Sequence, residues 1–269
     1  MTTMRAQARE ETASADMLHV GVADGVATLT LARPPVNAIS EAWVRAFQST
    51  LDELLVRGGW TVLHLRSSQK VFCAGADLKE VRARIDAVDG PDRMYAYVAG
   101  IQRLYARIER LSQVTIAEIG GAAMGGGLEL ALACDLRIAA VEAKLGLPEA
   151  RLGLIPGAGG TQRLTRLCGR PAAQRLILGA EVIDGATACD LGLVQWAVPR
   201  AELGQHAAEL ARRVAELPAG ALAASKACIA AAGEPGTGGY SIELEATRRL
   251  LTEPETRRRV EAFLAGAPG

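Results

Sequence analysis

The 269-residue sequence has no excess of charge of either sign, because 30 lysines and arginines balance 30 aspartates and glutamates. A balanced chain has no overall field that would attract nucleic acid or an anionic membrane surface. The sequence also lacks a run of about 20 apolar residues, the length that a membrane-spanning helix needs. These absences argue against nucleic-acid and membrane partners, and we expect a cytoplasmic protein.

Histidine and cysteine, the usual ligands of transition metals, are few and scattered. The five cysteines are odd in number and form no Cys-x-x-Cys pair, so we expect buried free thiols rather than disulfides or a zinc site: Cys73, Cys134, Cys168, Cys189 and Cys228. His19 and His64 fall in predicted strands and His206 in a predicted helix, without metal-ligand spacing. The sequence therefore predicts no metal.

The order of polar and apolar segments predicts three regions. Residues 1–16 are polar, carry both charges and lack the apolar core of a signal peptide, so we expect a disordered arm. Residues 17–199 form the predicted core, which opens with a β-hairpin and a helix capped by Ser40. Residues 200–269 are predicted to be helical, with a loop at Gly233–Gly239.

A glycine-rich turn stands at the centre of the core. It follows the apolar strand Val114–Ile119 and leads into a helix that begins near Gly126. The run Gly125-Gly126-Gly127 would be costly inside a helix and is typical of a place where the backbone closely approaches another group. The turn matches neither the P-loop pattern nor G-x-G-x-x-G, so we expect no nucleotide-phosphate cradle.

Two carboxylates lie in this otherwise apolar part of the sequence. Glu129 belongs to a helix that is apolar on almost every face, and burial would raise its pKa and suit it to acid or base chemistry. An equally weighted alternative is that Glu129 lies at the surface, where its negative charge interacts favourably with the positive end of the helix dipole. From the residues alone, Glu149 is better interpreted as a loop carboxylate paired with Arg151.

Two more glycine-bearing turns, at Phe72–Glu80 and Leu152–Leu164, indicate an α/β architecture whose loops converge on one site. The sequence resembles the enoyl-CoA hydratase/isomerase (crotonase) family over most of its length, from about Val20 to the final helices. The segments that carry the resemblance are Phe72-Cys-Ala-Gly-Ala-Asp-Leu-Lys79, Met124-Gly-Gly-Gly-Leu-Glu-Leu-Ala131, Leu147-Pro-Glu149 and Ile155-Pro-Gly-Ala-Gly-Gly-Thr-Gln-Arg-Leu164. Within the family it is most similar to bacterial enoyl-CoA hydratases and the methylglutaconyl-CoA hydratase branch.

The resemblance implies a crotonase-like spiral of ββα units with a C-terminal helical subdomain that packs a homotrimer or a dimer of trimers. It implies an acyl-CoA thioester as substrate and no cofactor. By residue matching, Glu129 would act mainly as the base toward water and Glu149 as the acid that protonates the alpha carbon. The backbone N–H groups of Ala76 and Gly126 would form an oxyanion hole.

The same matching gives the residues expected to bind the substrate, which are Ala74, Asp77, Leu78, Lys79 and Gly125. The charged stretch at Arg82–Gly90 is a candidate mobile flap over the acyl pocket, and the usual basic C-terminal run is missing. Alternatives that stay open are double-bond isomerisation, hydration of methylglutaconyl-CoA, and a non-catalytic CoA-binding or RNA-binding role.

Overall fold

The computed structural model describes residues 17–232, 236 and 238–266. The predicted arm at residues 1–16 lies outside the described residues. So do positions 233–235 and 237 of the predicted loop, and residues 267–269. The division at residue 200 stays a prediction.

Strands and helices alternate through the first half of the chain, as the three strand-turn-helix segments predicted. Their bounds are β1 Leu18–Ala23, β2 Val26–Leu31, α1 Glu41–Arg57, β3 Val62–Ser67, α2 Leu78–Ile85, α3 Gly90–Glu109, β4 Val114–Ile119, β5 Ala123–Met124, α4 Gly126–Leu132 and β6 Leu136–Ala140.

Helices dominate the second half, again as predicted. The bounds are β7 Lys144–Gly146, a 3-10 helix Pro148–Leu152, α5 Gly160–Ile177, β8 Val182–Asp184, α6 Gly185–Asp190, β9 Trp196–Val198, α7 Arg200–Ala215, α8 Ala219–Ala232, α9 Gly239–Leu250 and α10 Pro254–Leu264. Helix α5 is broken at Gly169, whose φ of 76° is not helical.

Two sheets form the core. The larger has the strand order β1-β2-β3-β4-β6-β9, antiparallel only between β1 and β2, and the smaller has the order β5-β7-β8. Parallel strand β3 is covered on both faces at its start, where Val62, Leu63 and Leu65 are fully buried. The turns after β3 and β4 lie at one edge of the large sheet, because their strands are parallel neighbours. The predicted α/β architecture is confirmed, and this edge is where its loops converge.

Helix α1 shows how local signals set an element. Ser40 accepts a hydrogen bond from the Trp43 N–H at 3.1 Å, as the predicted N-cap requires. Trp43 and Phe47 are fully buried with ring centroids 5.1 Å apart, so these aromatic side chains belong to the core.

The last helices differ from the rest, because α9 and α10 bury none of their described side chains. Within the described ranges, no single helix is long and apolar enough to cross a membrane. Helices α7 and α8 taken together pass such a test by length and composition alone, with a bend of 104° between them.

Candidate active site

A cavity of about 510 Å³ opens where the turns after β3 and β4 meet α2, α3 and the 3-10 helix. Most of its lining is apolar, and both Glu129 and Glu149 line it. Three of the residues predicted to bind substrate, Ala74, Leu78 and Gly125, line it as well. The sequence-predicted residues are therefore largely brought together in one place.

The backbone N–H of Ala76 is directed away from its neighbouring strand. Ile39 donates to the Gly75 carbonyl and accepts from the Asp77 N–H, both at 2.8 Å. Ala76 lies between Gly75 and Asp77, which both bond to Ile39 in this parallel bridge. The N–H of Ala76 is therefore on the side facing away from Ile39. The Ala76 N–H donates to no protein acceptor among the described residues, and it is available to a ligand.

The N–H of Gly126 is a second available donor, because Gly126 is the first residue of α4 and has no acceptor within the helix. The two donors lie close together. A β-carbon added at Gly75 would lie 3.2 Å from the Gly126 nitrogen, and one added at Gly126 would lie 3.8 Å from the Ala76 nitrogen. Gly75 must be glycine, since its φ is +91° and a side chain there would meet the Met124 carbonyl oxygen at 2.8 Å.

Glu129 lies in the first turn of α4 and is only 2% exposed. Burial raises the pKa of its carboxyl to about 7, and the negative charge of Glu149 acts in the same direction. The Gly160 N–H opposes this shift by donating to Glu129 Oε1 at 2.7 Å. The buried interpretation of Glu129 is confirmed, and a carboxyl of this kind exchanges protons near neutral pH.

Glu149 is half-buried in the 3-10 helix, and burial raises its pKa as well. Its Oε2 atom is buried and has no hydrogen-bond partner among the described residues. The pairing with Arg151 favoured by the sequence alone is wrong, because the Arg151 guanidinium donates instead to the Ala180 carbonyl at 2.7 Å. Glu149 is therefore directed to the cavity without a counter-ion.

The two carboxylates approach each other across the start of α4. A β-carbon at Gly125, the residue that caps this helix, would lie 2.8 Å from Glu149 Oε1, and Gly125 has a φ of +51°. Glu149 thus rests against the N-terminus of the helix that carries Glu129. The arrangement joins two coupled carboxyl groups to two free backbone donors in one apolar cavity.

Comparison with known proteins shows the family of the chain. The family model described as enoyl-CoA hydratase/isomerase matches residues 21–264. The chain belongs to the enoyl-CoA hydratase/isomerase family. It is 38% identical over 246 residues to the probable mitochondrial enoyl-CoA hydratase 2 of Arabidopsis thaliana, covering 90% of this chain and 80% of that protein.

Two further comparisons support this family membership. The chain is 44% identical over 192 residues to a probable enoyl-CoA hydratase of Bacillus subtilis, covering 71% of this chain and 73% of that protein. It superposes with a TM-score of 0.87 and 34% identity on the enoyl-CoA hydratase structure from Bacillus anthracis, covering 93% and 97% of the two chains. The predicted crotonase-like fold is confirmed, and the family acts on acyl-CoA thioesters.

The remaining predicted substrate-binding residues lie outside the cavity of this family member. Asp77 caps α2 by accepting from the Lys79 N–H at 3.0 Å, and it pairs with Arg33 at 2.8 Å. Lys79 is exposed at the start of α2. Neither residue is among the described residues that line the cavity.

Sequence reasoning missed the groups that support Glu129. Arg163 donates to Glu109 at 2.8 Å and to the Ala158 carbonyl at 3.0 Å, and Gln102 donates to the Gly157 carbonyl at 2.6 Å. These bonds tie the loop before α5 to α3 and hold the Gly160 N–H against Glu129. Arg163, in the segment Ile155–Leu164, was the signal available in the sequence, although its partner Glu109 is distant in sequence.

Among the described residues, no group of three or more histidine, cysteine, aspartate or glutamate side chains is arranged to hold a metal ion. The cysteines are free, as predicted. Cys73 and Cys134 are buried, whereas Cys168, Cys189 and Cys228 are only partly so.

Proposed function

We propose that this chain is an enoyl-CoA hydratase that reversibly adds water to the double bond of a 2-enoyl-CoA, giving a 3-hydroxyacyl-CoA. Its place would be the degradation of fatty or branched-chain acyl groups. The observation that carries the proposal is the pair of coupled, unneutralised carboxyl groups on the same cavity as two free backbone donors.

The backbone donors would act on the thioester carbonyl. Attack of water on C3 moves electrons from the double bond toward the carbonyl oxygen, which gains enolate character. The N–H groups of Ala76 and Gly126 would bind that oxygen, and the dipole of α4 favours negative charge at the Gly126 end. Losing one such donor typically costs about a hundred- to a thousand-fold in rate.

The two carboxyl groups would act on the water and on C2. Ionised Glu129 takes a proton from the water as its oxygen bonds to C3, and protonated Glu149 delivers a proton to C2. The net result is addition of one water to the same face of the double bond. The active pair holds one proton; after water addition Glu129 carries it and Glu149 is ionised, so the two groups exchange roles in the reverse direction by microscopic reversibility.

We further propose that the chain works in the cytoplasm, without a cofactor, as a homotrimer or a dimer of trimers. Large apolar side chains on the last helices support the assembly, since Leu244 is 71% and Phe263 78% exposed in the single chain. A solution mass equal to one chain would contradict it.

Loss of crotonyl-CoA absorbance in water tests the hydratase activity directly. We expect the wild type to hydrate crotonyl-CoA, and Glu129→Gln and Glu149→Gln each to lower kcat by about a hundred-fold or more, as positioned acid–base groups do. Glu53→Gln, the same chemical change at an exposed residue of α1, should leave kcat unchanged. A wild type that binds CoA esters but is inert toward short, long and branched enoyl-CoAs would refute hydration and favour isomerisation or binding.

A further inference from the structure

The charged side chains that line the cavity indicate which acyl groups it can bind, provided that the site binds acyl-CoA as proposed above. Its described lining contains no lysine, arginine or histidine. The carboxyl groups that line it are those of Glu129 and Glu149, and both lack a cationic partner among the described residues. The cavity can therefore become negative but has no group that would neutralise an anion.

Two guanidinium groups near the cavity are already bonded to carboxylates, although the Nε and Nη1 atoms of Arg84 have no hydrogen-bond partner among the described residues. Arg84 packs 4.2 Å from the centre of the Tyr97 ring and is bonded to Glu41 and Glu80. Arg163 is bonded to Glu109, and its remaining donors reach a backbone carbonyl. None of these guanidinium groups lines the cavity.

Arg33, which precedes α1 in the chain, is also already bonded to a carboxylate. Arg33 is bonded to Asp77 at 2.8 Å and to the Ala38 carbonyl. Moving any of these arginines toward a ligand would leave a carboxylate unpaired. An acyl group with a second carboxylate would consequently lose water in this cavity without gaining a counter-ion.

The walls favour hydrocarbon instead. Met94 and Val98 of α3 line the cavity together with Leu152 and Ile155, which are 61% and 74% exposed. Covering such side chains with an acyl chain gains about fourfold in affinity for each buried methylene.

We propose that the site selects enoyl thioesters whose acyl chain is an uncharged hydrocarbon and discriminates against acyl chains that end in a second carboxylate. The discrimination comes from two cavity carboxyls in a described lining that contains no lysine, arginine or histidine. Among the alternatives that the sequence left open, this argues against methylglutaconyl-CoA, whose acyl group carries a terminal carboxylate.

Binding of two saturated thioesters tests the selection without requiring turnover. Hexanoyl-CoA and adipoyl-CoA have six acyl carbons each and differ by the terminal carboxylate. By titration calorimetry at pH 8, we expect hexanoyl-CoA to bind the wild-type protein at least about tenfold more tightly, as repulsion and an unpaired charge require. Equal or tighter binding of adipoyl-CoA would overturn the proposal.

A charge introduced in the wall provides a test by gain of binding. Lysine resembles methionine in length and in helix propensity, so Met94→Lys should be accommodated in α3. We expect Met94→Lys to shift the ratio of the two affinities about tenfold toward adipoyl-CoA, whereas the neutral control Met94→Gln should not. A folded Met94→Lys protein with the wild-type ratio would show that charge does not set the selectivity.

The outcomes separate this inference from the proposed activity. A protein that prefers hexanoyl-CoA but hydrates no enoyl-CoA refutes hydration and leaves the selectivity intact. A protein that hydrates crotonyl-CoA but binds adipoyl-CoA as well as hexanoyl-CoA refutes the selectivity alone. If neither saturated thioester binds, the selectivity proposal fails, and the crotonyl-CoA assay alone decides the proposed activity.

Discussion

The region around α4 and the last three helices use their apolar residues in opposite ways. Leu128, Leu130 and Leu132 are buried, although α4 has only seven residues and is too short to be stable by itself. Along α8, α9 and α10, Ala224 is the buried residue among those described, while Tyr240 is 86% exposed. One chain therefore completes the packing around α4 but leaves an apolar surface on the last helices.

The largest expected contrast comes from one glycine in each region. A β-carbon at Gly127 would lie 2.1 Å from the Cys73 carbonyl oxygen, a backbone atom that cannot rotate away, whereas one at Gly239 would meet nothing within 4 Å. We expect Gly127→Ala to lose more than about 4 kcal/mol of unfolding free energy or to fail to fold, and Gly239→Ala to change it by less than about 0.5 kcal/mol. Urea unfolding midpoints measure both, and similar midpoints would contradict the close approach at α4.

Leucine truncation gives the next contrast. Leu128→Ala should cost about 2–5 kcal/mol, because Leu128 is fully buried and its removal leaves a cavity. Leu244→Ala should cost a single chain less than about 0.5 kcal/mol, yet it should weaken assembly if another copy covers α9. Unfolding and sedimentation at several protein concentrations separate the two effects. If the wild type is a monomer and Leu244→Ala still costs as much as Leu128→Ala, the proposed difference between the regions is wrong.

Local signals explain which parts of the fold could be predicted. The Ser40 cap follows from neighbouring residues, and it agrees with the sequence prediction. The contacts of the segment Arg82–Gly90 could not be predicted, because Glu41, a partner of Arg84, is distant in sequence. The structure places Arg82–Ile85 in α2, with Arg84 only 4% exposed because it is bonded to Glu41. The mobility of this segment stays a prediction.

In the candidate active site, too, some features could be predicted from neighbouring residues and others depend on residues that are distant in sequence. An apolar helix was enough to predict that Glu129 is buried, but not that its carboxylate accepts from the N–H of Gly160, 31 residues further along. Glu149 has no distinctive neighbours in the sequence, so only the fold shows that its carboxyl has no counter-ion. The Ala76 donor is a backbone group without a side-chain signature, and only the family resemblance pointed to it.

Glu129 is the buried carboxylic acid of α4, and its titration predicts a pH-dependent stability. Its folded-state pKa of about 7 lies above the ordinary value of 4.5. Between these values the folded protein keeps a proton that the unfolded chain has released. The unfolding free energy should therefore fall as pH rises from about 4.5 through 7, by up to about 3 kcal/mol in all.

Glu129→Gln removes this titration, so it should be more stable than the wild type at pH 8 by up to about 3 kcal/mol and show little gain at pH 5. Glu245→Gln on exposed α9 is the matched control and should give no pH-dependent gain. Activity should show a pH optimum, because Glu129 acts as a base only when ionised and Glu149 as an acid only when protonated; wild-type kcat/KM should rise as Glu129 ionises and fall once the pair has lost its one proton. Thermal unfolding and crotonyl-CoA hydration between pH 5 and 8 would measure both curves. A Glu129→Gln protein no more stable than wild type at pH 8 would mean that the buried carboxylate costs the fold nothing, and the link between its burial and its chemistry would fail.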